Sequence, residues 1–161
     1  MTYYRVVDTN VAVVANGRIT HADPECQLAC ITTLKALIKR GTTVLDAGGL
    51  ILAEYRGRLQ SSGQPGTGDA FYKYLVDHQY NSSRCMIVVI TSDDVTGEFD
   101  HFPDDPALVG FDNDDKKFVA TAIASGVNCP VINAVDTGWR DYEGPLSDVG
   151  LVVEQVCPQH M

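Results

Sequence analysis

Short apolar runs of strand length alternate along the chain with stretches whose apolar positions return every three or four residues. Residues 3–7 form a β-type run that ends abruptly at Asp8-Thr9-Asn10. Residues 24–40 carry Cys30, Ile31, Leu34, Leu37 and Ile38 at helical spacing. Asp23 and Glu25 stand at the start of that stretch and Lys35, Lys39 and Arg40 near its end, the order the helix dipole favours, and Gly41 stops it. Residues 42–45 read as a strand, Gly48-Gly49 opens a second helix to residue 59, 61–68 is a Gly, Ser and Pro loop, and 69–78 is a third helix. The run 86–91 is apolar enough for the middle of a sheet. The acidic stretch 93–108, with Pro103 and Pro106, reads as a surface excursion. A fourth helix spans 113–125, closed by Gly126. A strand at 131–132, a turn and short helix at 135–143 and a last strand at 151–156 complete the pattern. Strands alternating with helices predict one α/β domain over residues 1–161, a central parallel sheet with helices on both faces in a Rossmann-type three-layer sandwich.

Composition narrows what such a domain does. With 161 residues, 45% of them apolar, the chain can bury a full core without a disulfide or metal staple. Twelve Lys and Arg against twenty-one Asp and Glu give a net charge of −9. That excludes a basic module holding nucleic acid by phosphate neutralisation alone, but not an enzyme that meets phosphate through cations held by its own carboxylates. The longest apolar run, 86–90, is far short of the roughly 20 residues of a membrane span, and no signal peptide opens the chain. Five cysteines, an odd number, then predict reduced, buried thiols in a cytoplasmic protein. Cys26 and Cys30 stand one helical turn apart but lack the spacing and the second pair of a metal site.

The acids carry the chemistry. Ligands of open α/β sheets bind beyond the carboxyl ends of the strands, and Asp8 and Asp136 both follow predicted strands. Each taken alone is as well explained as a turn former. Asp115 shares a helical stripe with Phe118, Val119, Ala122 and Ile123, a core face on which an unpaired carboxylate is costly. Asp112 fits an N-cap, which explains Asp112 well and Asp115 only in part. Glu54 follows Leu50 and Ile51 by one turn and shares their apolar face. Four acids from four elements stay together only around a cation, and oxygen ligands without His or Cys point to Mg²⁺ or Mn²⁺.

Other chemistry fits less well. The loop Gly63-Gln64-Pro65-Gly66-Thr67-Gly68 is followed by Asp69 and Ala70, where a phosphate loop needs Lys and Ser or Thr. Asn10 stands where a phosphoryl-transfer aspartate site would want a second Asp. His21, His78, His101 and His160 form no spaced pair. Trp139, Tyr142 and Phe111 are candidates for base stacking, with a core or hinge position the stronger reading.

The order of these segments resembles the PIN-domain family of metal-dependent ribonucleases across nearly the whole chain. Val6-Val7-Asp8-Thr9-Asn10-Val11 resembles that family's first strand and acid. Leu52-Ala53-Glu54-Tyr55-Arg56 is similar to the helix with the second acid, and Phe111-Asp112-Asn113-Asp114-Asp115-Lys116-Lys117-Phe118-Val119-Ala120-Thr121-Ala122 to its Asp-headed, alanine-rich helix. Val131-Ile132-Asn133-Ala134-Val135-Asp136 matches the strand delivering the last acid, although Ala134 replaces the family's frequent Thr and the 92–110 segment is longer than in compact members. The resemblance implies a PIN-like fold and hydrolysis of RNA phosphodiesters, with single-stranded RNA as substrate. Asp8, Glu54, Asp115 and Asp136 would be catalytic ligands of Mg²⁺ or Mn²⁺. Asp112 competes with Asp115 for the third position or assists through water, and the stripe argument favours Asp115. Thr9 and Asn10 would orient Asp8 or the water, and Arg56, Arg58, Lys116, Lys117 and Arg140 are candidates to receive the RNA backbone, each equally readable as a solvated charge. The family further implies a toxin restrained by a small antitoxin-type protein as one biological setting. The long 92–110 segment and the Gly-rich loop point instead to a stand-alone or differently partnered nuclease, with a homodimer as a further partner expectation. The reading from another class is a non-catalytic PIN-like scaffold or binding module.

Overall fold

The computed structural model describes residues 3–18 and 22–160; His21 lies outside the described residues. Five strands, β1 (Tyr4–Val7), β2 (Thr42–Asp46), β3 (Cys85–Val88), β4 (Val131–Asn133) and β5 (Val153–Gln155), form one all-parallel sheet in the order β3-β2-β1-β4-β5. The chain moves outward from β1 through β2 to β3, then returns across the sheet to β4 on the other side of β1. Right-handed crossovers require the connections on the two legs to lie on opposite faces. The outward leg supplies α1 (Thr9–Ala15), α2 (Pro24–Arg40), α3 (Leu50–Arg58) and α4 (Thr67–His78), of which α1, α2 and α4 pack on one another. The return leg supplies α5 (Lys116–Ala124), which lies against β1, β2 and β4, and then α6 (Thr137–Asp141) and α7 (Glu143–Asp148) beside β5. This is the three-layer parallel α/β architecture that the hydrophobic pattern predicts.

The core explains the order. β1 is central, and Val6 and Val7 are fully buried between the layers with Val44, Leu45, Val131 and Ile132 of the flanking strands. Two helices are absent from the sequence reading: α7, which follows the short helix α6, and α1, whose Thr9, Val11, Val13 and Val14 are β-branched and weak helix formers. Helix α1 forms because Asp8 caps it, its carboxylate accepting from the Asn10 N–H at 2.9 Å, and because nearly every side of it is covered. α4 packs directly against it, and Gly68 passes so near the Ala12 carbonyl that a Cβ would stand 2.0 Å from that oxygen.

Two expectations are corrected. The apolar run at 86–91 is not in the middle of the sheet: β3 is an edge strand, Met86 and Ile87 are half-buried, and Val89 beyond it is exposed. Apolar composition selects a strand but does not say how many neighbours it has. The cysteines are also not all reduced. Cys26, in the first turn of α2, is bridged to Cys157, just after β5, with Cα atoms 5.2 Å apart and 131 residues between them in sequence. Cys30, Cys85 and Cys129 are free and buried, as expected for core thiols. Thiol titration of the denatured, unreduced protein is expected to find three free groups, and reductant to lower the melting temperature by an amount equivalent to about 2–4 kcal/mol. A melt indifferent to reductant would contradict the bridge. No helix among the described residues is long and apolar enough to cross a membrane.

Candidate metal centre

The strand order reverses between β1 and β4, and that switch point is where side chains from two diverging connections can face one another. Asp8 is the first residue after β1, and Asp136 lies three residues beyond β4. Tyr55 on α3 clamps the end of β1 from below, its hydroxyl donating to the Val7 carbonyl at 2.5 Å. Asn10 braces the two strand ends together. Its amide N–H₂ donates to Asn133 Oδ1 at 2.9 Å, and its oxygen accepts from the Ala134 and Val135 N–H groups at 3.0 and 3.1 Å. The short gap between the acid-bearing loops is therefore fixed by hydrogen bonds.

Both strand-end acids do the local work expected of turn formers and still face the cleft. Asp8 caps α1, and its other oxygen accepts from the indole N–H of Trp139 at 2.7 Å. Asp136 caps α6 through Gly138 N–H at 2.9 Å. Trp139 is wholly buried, edge-on to Phe111 and Phe118, so it is a core residue and not a base-stacking platform. Asp112 is exposed and accepts from the Asp114 N–H, capping the 3-10 turn Asn113–Asp115 that leads into α5. Asp115 sits at the head of α5 without capping it.

Carboxylate oxygens of Asp8, Asp115 and Asp136 can lie within 4.8 Å of one another, although the residues come from three separate parts of the chain. Glu54 stands outside that tight group but lines the same open cleft, together with Thr9 and Asn10. Burial pushes the Asp8 carboxyl up to about 6. The Asn10 N–H and the Trp139 indole draw it down, and the Glu54 charge adds to the rise. Asp115 is pushed further, to about 8, by burial first and then by the negative charges of Asp8, Asp136, Asp112 and Glu54. No hydrogen-bond donor or cation among the described residues offsets that rise. The folded state therefore holds protons that the unfolded chain, with ordinary carboxyls, has released. Metal-free stability is expected to fall as pH rises from about 4 through 8, and urea melts across that range check it.

The basic candidates divide. Arg58 lines the cleft, whereas Arg56 and Arg140 are exposed and do not. Lys116, expected to receive substrate, is turned away: its ammonium is held by both Glu98 oxygens at 3.0 and 3.1 Å and lies 5.0 Å from the Phe102 ring centroid. The adjacent Lys117 instead reaches Glu54 on the cleft wall and pairs with it at 2.8 Å, while the second Glu54 oxygen accepts from the Thr9 hydroxyl. Thr9 thus orients Glu54 and not Asp8, whereas Asn10 does hold Asp8 through its backbone N–H.

Sequence reasoning passed over two other buried acids, Asp46 and Asp69. Asp46 caps α3 through the Leu50 and Ile51 N–H groups at 2.8 and 2.9 Å. Asp69 accepts from the Gln60 and Gly66 N–H groups at 2.8 and 3.0 Å and lies 3.8 Å from Arg18. Backbone donors satisfy both, which separates them from Asp115. The donor set of Asp8, Asp115 and Asp136 is all oxygen, the kind that suits hard divalent ions such as Mg²⁺ or Mn²⁺. No protein-family model, curated protein or solved structure matches the chain.

Proposed function

We propose that this protein is a PIN-like, metal-dependent ribonuclease whose cleft holds Mg²⁺ or Mn²⁺ through Asp8, Asp115 and Asp136, with Glu54 at its rim. The observation that carries the reading is Asp115, a half-buried carboxylate that faces two other acids and has no donor of its own among the described residues. A cation would remove the repulsion that otherwise keeps protons on the site. When bound, such an ion activates water and stabilises charge on a phosphodiester.

The chain's own residues set up the rest. Trp139 and the Asn10 N–H keep Asp8 pointed at the cleft and favour its ionised form. Asn10 fixes the spacing of the loops that carry Asp8 and Asp136. Arg58, on the cleft wall, offers a bidentate contact to a phosphate outside the acid cup. Purified protein with millimolar Mn²⁺ is expected to cleave a mixed single-stranded RNA pool and to melt at a higher temperature than without metal. Absence of both effects removes the nuclease reading.

One observation favours the non-catalytic alternative. The Lys117–Glu54 pair already supplies a cation from within the chain, as a scaffold that has dispensed with metal would need. A protein that neither binds Mn²⁺ nor cuts RNA would support that reading.

A further inference from the structure

Glu54 is the one acid of the cleft with a cationic partner among the described residues. The Lys117 ammonium donates to Glu54 Oε1 at 2.8 Å and to the Asp114 carbonyl oxygen, and it lies 4.9 Å from the Phe118 ring centroid. Its side chain is only 13% exposed and that of Glu54 31%, so the pair is no solvated surface bridge. The Thr9 hydroxyl occupies the other carboxylate oxygen. Glu54 therefore has both oxygens engaged, while the Asp115 carboxylate beside it has neither donor nor cation among the described residues. The arrangement is asymmetric: the charge that would relieve the cluster is parked on the acid at its edge.

Residue type sharpens the point. An arginine here would form a rigid fork with Glu54, whereas lysine is a single hydrated charge on a flexible stem, held by contacts it can exchange. Lys117 is two residues from Asp115 at the head of the same helix, so the ammonium can shift without moving the backbone that positions the acid. We propose that Lys117 is the internal counter-ion of the cleft, holding Glu54 in the metal-free protein and competing with the divalent ion for that carboxylate, so that it limits how tightly the ion is held. When Glu54 turns towards the ion or its water, the displaced ammonium is left at the cleft, able to meet a substrate phosphate. The inference rests on the metal-site reading above. It adds a residue that tunes the site from within.

The test is calorimetric titration of Mn²⁺ into the wild-type protein and into Lys117→Gln, with Lys117→Arg retaining the charge and Lys117→Met retaining the stem over Phe118. Removing one positive charge beside the ligands is expected to tighten Mn²⁺ binding about tenfold in Lys117→Gln and Lys117→Met. Lys117→Arg, which keeps the charge and grips Glu54 in a fork, is expected to bind Mn²⁺ no more tightly than the wild type. A salt bridge that merely braces α3 against α5 would leave the metal affinity of the folded variants unchanged. Wild-type binding with equal or weaker binding by the charge-removing variants overturns the counter-ion proposal and leaves the metal site standing. No Mn²⁺ binding by the wild type overturns both. Circular dichroism of each variant identifies which are folded, and whichever of the two neutral variants folds decides the question.

Discussion

Asp115→Asn is expected to yield a protein that melts higher than the wild type without metal and no longer responds to Mn²⁺. The reason is electrostatic. Burial and four neighbouring acids hold the Asp115 carboxyl at about 8, so ionising it near neutral pH works against folding. An amide of the same shape removes that charge. Solvent screens a half-buried group, so the gain is expected to be about 1–3 kcal/mol, well below what the full shift would suggest. In a chain of this length each kcal/mol moves the melting temperature by about 2–4 °C. The sign sets its pH dependence: the wild-type deficit grows as pH rises towards 8, so the variant's advantage should be largest there and vanish near pH 4. The same substitution should lower Mn²⁺-dependent RNA cleavage by about 10²–10³-fold, the usual loss when one charged stabiliser leaves a preorganised site. Gain of stability with loss of function separates this acid from a structural one. An Asp115→Asn protein that melts lower than the wild type, or cuts RNA equally well, would mean that the site is misplaced.

Trp139→Ala carries the largest expected cost in stability. The ring is wholly buried, packs edge-on to Phe111 and Phe118, and donates to Asp8. Truncating a buried tryptophan costs about 3–5 kcal/mol through lost transfer energy and the cavity left behind. The midpoint of thermal unfolding should then fall by roughly 6–20 °C. Trp139→Phe separates packing from polarity. It keeps most of the ring volume but leaves Asp8 without its indole donor, at an expected cost of about 1.5–3 kcal/mol. Removing a donor from an ionised carboxylate raises its proton affinity, so Asp8 should titrate above its present value of about 6. The acid limb of any metal-dependent activity should move to higher pH in Trp139→Phe. An unchanged limb would show that the indole serves packing alone.

The parts of this structure legible in the sequence are those fixed by local periodicity. Strand and helix alternate because apolar spacing changes from run to run, and parallel topology follows from helices between strands. The convergence of Asp8, Asp115 and Asp136 is legible because strand ends and helix heads share one edge of such a sheet. What the sequence conceals is partnership across distance. Lys116 and Lys117 are adjacent and alike, yet a helical step of one residue sends the first to Glu98 and the second to Glu54. Trp139 and Asp8 are 131 residues apart, and nothing in either segment announces their bond. Helix α1 is hidden for a different reason. It is covered on almost every side, so it shows no amphipathic period, and its β-branched residues are weak helix formers. Asp46 and Asp69 show that burial alone does not mark a functional acid. What distinguishes Asp115 is the lack of donors, a property visible only once the neighbours are in place.

The Cys26–Cys157 bridge gives the oxidised polypeptide an unusual covalent shape. Residues 26–157 become a closed ring, and everything before Cys26 is a pendant arm. That arm holds β1, the strand at the centre of the sheet, together with Asp8 and the capped helix that follows it. The ring alone would leave β2 and β4 separated by a gap one strand wide and the cleft short of a carboxylate. Sealing the circle does not complete the molecule; seating the arm between β2 and β4 does.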